Sequence, residues 1–198
     1  MLFVVFVFVM LGLLEIDIIQ RNLASEGGAT GTRLVSTCRE IAHKIRKYMA
    51  VRTLMSLLTG LAVWAFTALI GLELAPAWGV ITFALNYIPF IGPLVAALLP
   101  TVFSLVQYGS FRTAATVFIG MNLIQFFSGS YIEPRFAGAT LAISPFAILL
   151  AVFFWGFMWG LAGAFIGMQL TIAAFTICEQ SPSTRWIAQI LSGRRVTG

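Results

Sequence analysis

Apolar residues run through this chain in long stretches separated by short polar ones. No Asp, Glu, Lys or Arg falls in 1–14, 53–72, 74–111, 113–132 or 136–178. A helix needs about 20 apolar residues to cross the hydrocarbon core of a bilayer. Every one of these ranges but the first is long enough for a crossing. The first continues as far as Glu15 and Asp17, has no basic start and no small-residue cleavage site, and so is not a signal peptide. It predicts a transmembrane helix over 1–19 that is already under way at Met1, with the chain a piece of a longer protein.

The polar stretch that follows divides in two. Residues 20–31 hold Asn22, Ser25, Gly27, Gly28 and Gly31, the composition of a loop. From there Leu34, Cys38, Ile41, Ile45 and Tyr48 recur at steps of 4, 3, 4 and 3, which places them on one helical face. Arg39, Glu40, Lys44 and Lys47 fall off that stripe. The prediction for 20–50 is a cytoplasmic loop and an amphipathic helix lying on the membrane surface or against a neighbouring helix.

Beyond it, 51–198 reads as the membrane core with a short C-terminal tail. Residues 50–72 predict a clean span. Residues 76–108 do not, because a straight helix of that length would be about 50 Å long against a core of about 30 Å. Pro89, Gly92, Pro93 and Pro100 interrupt it, and proline removes a helical N–H and clashes with the preceding turn. Residues 88–93 are expected to be non-helical at membrane depth. A further span is predicted over 112–132. Residues 144–178 are again too long for one crossing, and here the interruptions are Gly156, Gly160, Gly163 and Gly167. The fold class is therefore all-α: a polytopic transmembrane helical bundle with two interrupted membrane segments, one broken by proline and one by glycine. Paired interrupted segments point to a transport site in repeat-built transporters.

Composition supports a membrane protein. Only 10% of the 198 residues are charged and 60% are hydrophobic, with a mean hydropathy of +0.97; soluble domains carry about 25% charge. The net charge of +5 is no sign of nucleic acid. Seven of the twelve basic residues lie between Arg21 and Arg52, and three more are Arg185, Arg194 and Arg195, all flanking apolar stretches as the positive-inside rule requires. With 20–52 in the cytoplasm, two topologies leave a single cation outside. If both long segments are hairpins it is Arg112; if both cross once it is Arg135. Mixed behaviour would strand the three C-terminal arginines outside, so matched segments and a cytoplasmic C-terminus are expected.

The chemical inventory argues against an enzyme. His43 is the one histidine and Asp17 the one aspartate. No phosphate loop, metal-ligand cluster or disulfide framework is present in the sequence, since Cys38 and Cys178 stand alone. No cofactor and no metal are expected. What stands out is polar chemistry in apolar surroundings. Asn86-Tyr87-Ile88-Pro89-Phe90-Ile91-Gly92-Pro93 frees backbone carbonyls, which in a membrane must find protein or water. Asn122, Gln125, Gly129 and Glu133 recur at steps of 3, 4 and 4 on one face of the 112–132 span, turned toward a polar path or toward hydrogen bonds with another helix. The substrate-path candidates are thus Asn86, Pro89, Gly92, Pro93, Asn122, Gln125, Glu133, Arg135 and Gln169. Asn122, Gln125 and Glu133 are expected to face the proline loop. Gly129, Gly156, Gly160, Gly163 and Gly167 are the helix-packing or helix-breaking candidates, the last four forming two GxxxG pairs.

These residues also carry a resemblance. Phe83 to Pro93, then Ile132-Glu133-Pro134-Arg135 with Gly138, Leu141, Ser144-Pro145, Phe154-Trp155-Gly156, Trp159-Gly160 and Gly163 follow in the order of the AI-2E family of membrane permeases, the autoinducer-2 exporter-like family. The chain resembles the C-terminal half of a member over about residues 1 to 192. Where the family often has proline before Leu170-Thr171, this chain has Gln169. The resemblance implies a secondary permease of the bacterial inner membrane. Its substrate is a small molecule or an ion: some members are linked to autoinducer-2 export and others to Na⁺/H⁺ antiport. It implies membrane lipid as surroundings and a homo-oligomer, a pentamer, as the assembly. The rival from another class is a non-transporting membrane scaffold subunit.

Overall fold

The computed structural model describes residues 29–133, 135, 143–180 and 184–192. The expected helix over 1–19 lies outside them. The described elements are helical, with one isolated bridge between Ile143 and Ser192. In order they are α1 (Ala29–Ile70), α2 (Ala75–Leu85), α3 (Ile91–Tyr108), α4 (Phe111–Phe127) running into a π-turn (Ser128–Ile132), α5 (Pro145–Gln180) and α6 (Arg185–Leu191). Among the described residues, four helices are long and apolar enough to cross a membrane: Val35–Ile70, Ile91–Tyr108, Phe111–Ile132 and Pro145–Gln180. The chain divides into two compact units, one of 49–138 and one of 1–48 with 139–198. Each is described by itself.

In the 49–138 unit, the later part of α1 runs to Ile70 and ends at Gly71, whose φ is 78°. The 11 residues of α2 rise only about 16 Å, too little to cross. Pro76 sits in its first turn, where a missing N–H costs nothing. The helix stops at Asn86 because Pro89 cannot continue it and disfavours helical backbone at Ile88. Phe90 then takes φ 62°, and α3 starts at Ile91. The break is therefore 86–90, narrower than and shifted from the expected 88–93. Ile91 to Pro93 are helical because a first-turn proline needs no N–H partner.

After the break the chain folds back. The rings of Trp78 and Phe103 meet at 5.2 Å, and Gln107 and Tyr108 at the end of α3 reach the chain at Gly71. Residues 75–108 are thus a helical hairpin whose tip is 86–90. Two contacts need glycine. At Gly92 a Cβ would lie 1.9 Å from the carbonyl oxygen of Leu85, across the tip. Gly60 and Gly79 let α1 and α2 touch, each facing the other's carbonyl at 2.8 Å from an added Cβ. Val63, Ala97, Val117 and Met121 form the buried core, with Phe66, Ile70, Trp78 and Ile124 packed on it.

In the other unit, α5 has the same habit. Trp159 and Gly160 leave helical geometry, and Gly160 takes φ 63°, ψ −146°, open to glycine alone. In a straight helix residues 155 and 163 would stand about 12 Å apart. Here a Cβ on Gly163 would lie 1.8 Å from the carbonyl oxygen of Trp155, and one on Gly167 would meet the Trp155 side chain at 2.9 Å. The second half of α5 returns along the first. Just before α5, Ser144 N–H donates to the carbonyl of Leu191 at the end of α6 (2.8 Å). Both long segments are hairpins, one of the two matched cases that the charge distribution allows.

The polar part of α1 is continuous with its apolar part rather than a separate surface helix, so loop composition ends at Ala29. At 42 residues α1 is about 63 Å long. Lys44 bridges Glu40 (2.8 Å) and Glu179 (2.9 Å), and Gln180 joins Thr37 and Glu40. This ties the start of α1 to the last turn of α5. Cys38 and Cys178 are free thiols.

Candidate functional site

The tip of the first hairpin rises to the level of Arg52 on α1. Tyr87 donates its hydroxyl to Thr53 Oγ1 (2.9 Å). Beside it Arg52 Nη1 donates to both carboxylate oxygens of Glu133, at 2.8 and 3.1 Å. Arg52 is 9% exposed. A guanidinium so buried needs its counter-ion, because an unpaired charge in a low-dielectric interior is strongly disfavoured.

Glu133 reaches this place through the π-turn. Its backbone N–H bonds to the carbonyl of Ser128, five residues back. Such a turn holds an extra residue and is common where a helix is shaped for function. Positions beyond it lose the 3.6-residue register of those before it. Asn122, which like Gln125 precedes the turn, departs from expectation. It is exposed, and its amide donates to the Phe118 carbonyl of its own helix (2.8 Å). Met121, Val117 and Ala114 are the positions of α4 that face inward.

Between α1, the hairpin tip and the end of α4 lies a cavity of about 40 Å³. Its lining includes Arg52, Ser56 and Thr59 of α1, Asn86 and Pro93 of the hairpin, and Gln125, Ser128, Gly129 and Glu133. Among the described residues, four buried side-chain polar atoms lack a hydrogen-bond partner: Arg52 Nε, Ser56 Oγ, Asn86 Oδ1 and Gln125 Nε2. All four belong to the lining of this one cavity. Buried polar groups are nearly always bonded, so these four are open to water or to a bound group. An apolar groove of about 510 Å³ on α1 and α2, lined by Leu57, Leu61, Trp64 and Val80 among others, offers a solute nothing polar to hold.

Asn86, Pro93, Gln125, Gly129 and Glu133 are thus brought together, and the other candidates are not. Pro89 is buried in the tip, Gly92 is held against Leu85, and Arg135 is exposed. Gln169 is 6% exposed within α5, in the other unit; with its amide nitrogen facing them it donates to the carbonyls of Phe165 (2.6 Å) and Ile166 (2.9 Å). Gly129 has open space where a Cβ would stand, so it is not a packing glycine. Gly156 meets only an ordinary contact with Ala164, whereas Gly163 and Gly167 pack tightly and Gly160 makes the break. Sequence reasoning missed Arg52, Ser56 and Thr59. Their steps of 4 and 3 form a polar stripe at the start of an apolar span, but Arg52 counted there as a flanking cation.

Helices of membrane length, two hairpins and a polar cavity at one hairpin tip define a polytopic helical membrane protein. Residues 1–183 match the AI-2E family transporter family. The AI-2 transport protein TqsA of Escherichia coli is 35% identical over 148 residues, 75% of this chain and 43% of that protein. A protein of Borreliella burgdorferi named only for transport is 32% identical over 166 residues, 83% of this chain and 46% of the relative. YhhT of Escherichia coli is 32% identical over 137 residues, 68% of this chain and 37% of YhhT. The chain spans less than half the length of each. It belongs to the AI-2E family of transporters.

Proposed function

We propose that the protein is a secondary permease for small hydrophilic solutes, and that solute passes through the cavity at the tip of the first hairpin. The observation that carries this reading is the gathering of four partnerless polar atoms on one cavity among apolar helices. Autoinducer-2, named in the TqsA relative, is a first solute to try. The protein works in the bacterial inner membrane as a homo-oligomer, the pentamer being the state to look for.

The test is flux per assembled molecule in liposomes. Asn86→Leu and Gln125→Leu are expected to insert and assemble but lose at least tenfold in flux. Asn122→Leu, on the outer face, is expected to leave flux unchanged and stability within about 0.5 kcal/mol. Equal flux in all three would refute the reading. For orientation, Cys38 and a cysteine placed at Gly198 should both resist an impermeant thiol reagent in intact cells, since 20–50 and the tail share the cytoplasmic side. Labelling of one alone rejects that topology.

A further inference from the structure

The partnerless atoms are of mixed kind. Arg52 Nε–H and Gln125 Nε2–H can only donate, Asn86 Oδ1 can only accept, and Ser56 Oγ does either. A bare cation would need oxygen on every side and would meet two N–H groups, one of them on a permanent positive charge. A bare anion would meet the lone pairs of Asn86 Oδ1. A hydroxyl meets three of the four at once: its oxygen accepts from Arg52 and Gln125, and its hydrogen goes to Asn86 or Ser56. Size agrees, because about 40 Å³ is above the roughly 10–15 Å³ that a cavity needs to hold one water-sized group. The charge is also balanced, with Arg52 paired to Glu133 at 2.8 Å.

We propose that this cavity is a hydroxyl-selective subsite that holds one hydroxyl group of an uncharged solute, with Arg52 as the residue that excludes cations. The proposal rests on the transport reading only in taking the cavity to face solute.

The test reads binding rather than flux. Gly129 lines the cavity and has room for a side chain. Gly129→Cys is made with Cys38→Ser and Cys178→Ser, and its modification by N-ethylmaleimide is timed in the purified protein. Erythritol should slow the reaction at least fivefold and saturably. Sodium chloride, choline chloride and glycine betaine at equal osmolality should not. Arg52→Gln, which leaves Glu133 without its partner, should exchange the pattern: protection by sodium chloride appears and protection by erythritol goes. Should that variant not fold, Ser56→Ala is expected to raise the erythritol concentration for half-protection at least threefold. Protection of the unaltered cavity by either salt, or none by erythritol, overturns the proposal. Protection by erythritol in a protein that moves no solute would sink the transport reading and leave this subsite standing.

Discussion

Replacing Glu133 with alanine is expected to cost about 3 kcal/mol or more of stability, as removal of one partner from a buried ion pair does. The reason is what it leaves behind. Arg52 is 9% exposed, and its Nη1 gives both of its bonds to the Glu133 carboxylate. Without that carboxylate the guanidinium is a buried charge in the 49–138 unit, with Nε already lacking a partner. Thermal unfolding in detergent should show the loss. The double change Arg52→Met with Glu133→Leu should recover most of it, because apolar residues of similar volume replace a buried pair at little cost. Recovery without flux would separate the two roles of the pair, holding the bundle and lining the cavity.

Gly92→Ala and Gly163→Ala are expected to be as damaging, although each adds one methyl group. The new Cβ would lie 1.9 Å from the Leu85 carbonyl oxygen in the first case and 1.8 Å from that of Trp155 in the second. Both obstacles are backbone, so no rotamer change relieves them and the hairpin must open. Overpacking costs about 1–3 kcal/mol and occasionally more; contacts this short belong at the upper end. Loss of monodisperse protein on extraction is the readout. Gly129→Ala is the control and should behave as the unaltered chain, since nothing lies within 4 Å of the added atom.

The contrast among these glycines shows how far the sequence could be read. The GxxxG spacing singled out Gly163 and Gly167 correctly as packing positions but could not tell that they close a hairpin within one segment. That depends on Gly160 taking a backbone conformation that no spacing records. Gly60 and Gly79 lie too far apart in the chain for any local pattern to pair them. The apolar lengths, by contrast, forecast the four long helices and the two interruptions, because bilayer thickness acts on each segment separately.

The site was half legible for a related reason. Asn86, Gln125 and Glu133 stand out as polar groups in apolar runs, and they do line one cavity. Asn122 belongs to the same regular stripe but points away and bonds the Phe118 carbonyl of its own helix, while the π-turn at Ser128–Ile132 shifts Glu133 relative to everything before it. A wide turn has no signature in periodicity. Arg52 was hidden by its position at the edge of a basic stretch, where a charge is ordinarily solvated. Only the fold shows its guanidinium turned inward to Glu133.

The claim on which the account depends is that the hairpin-tip cavity lies on the path of the solute, and covalent block of that cavity tests it most directly. In liposomes, flux through the Gly129→Cys protein, with Cys38→Ser and Cys178→Ser, is measured before and after modification with a bulky methanethiosulfonate, then again after reduction. Flux is expected to fall at least tenfold on modification and to return on reduction. Undiminished flux in fully modified protein would contradict it, and would leave the cavity a structural joint between α1, the hairpin and α4.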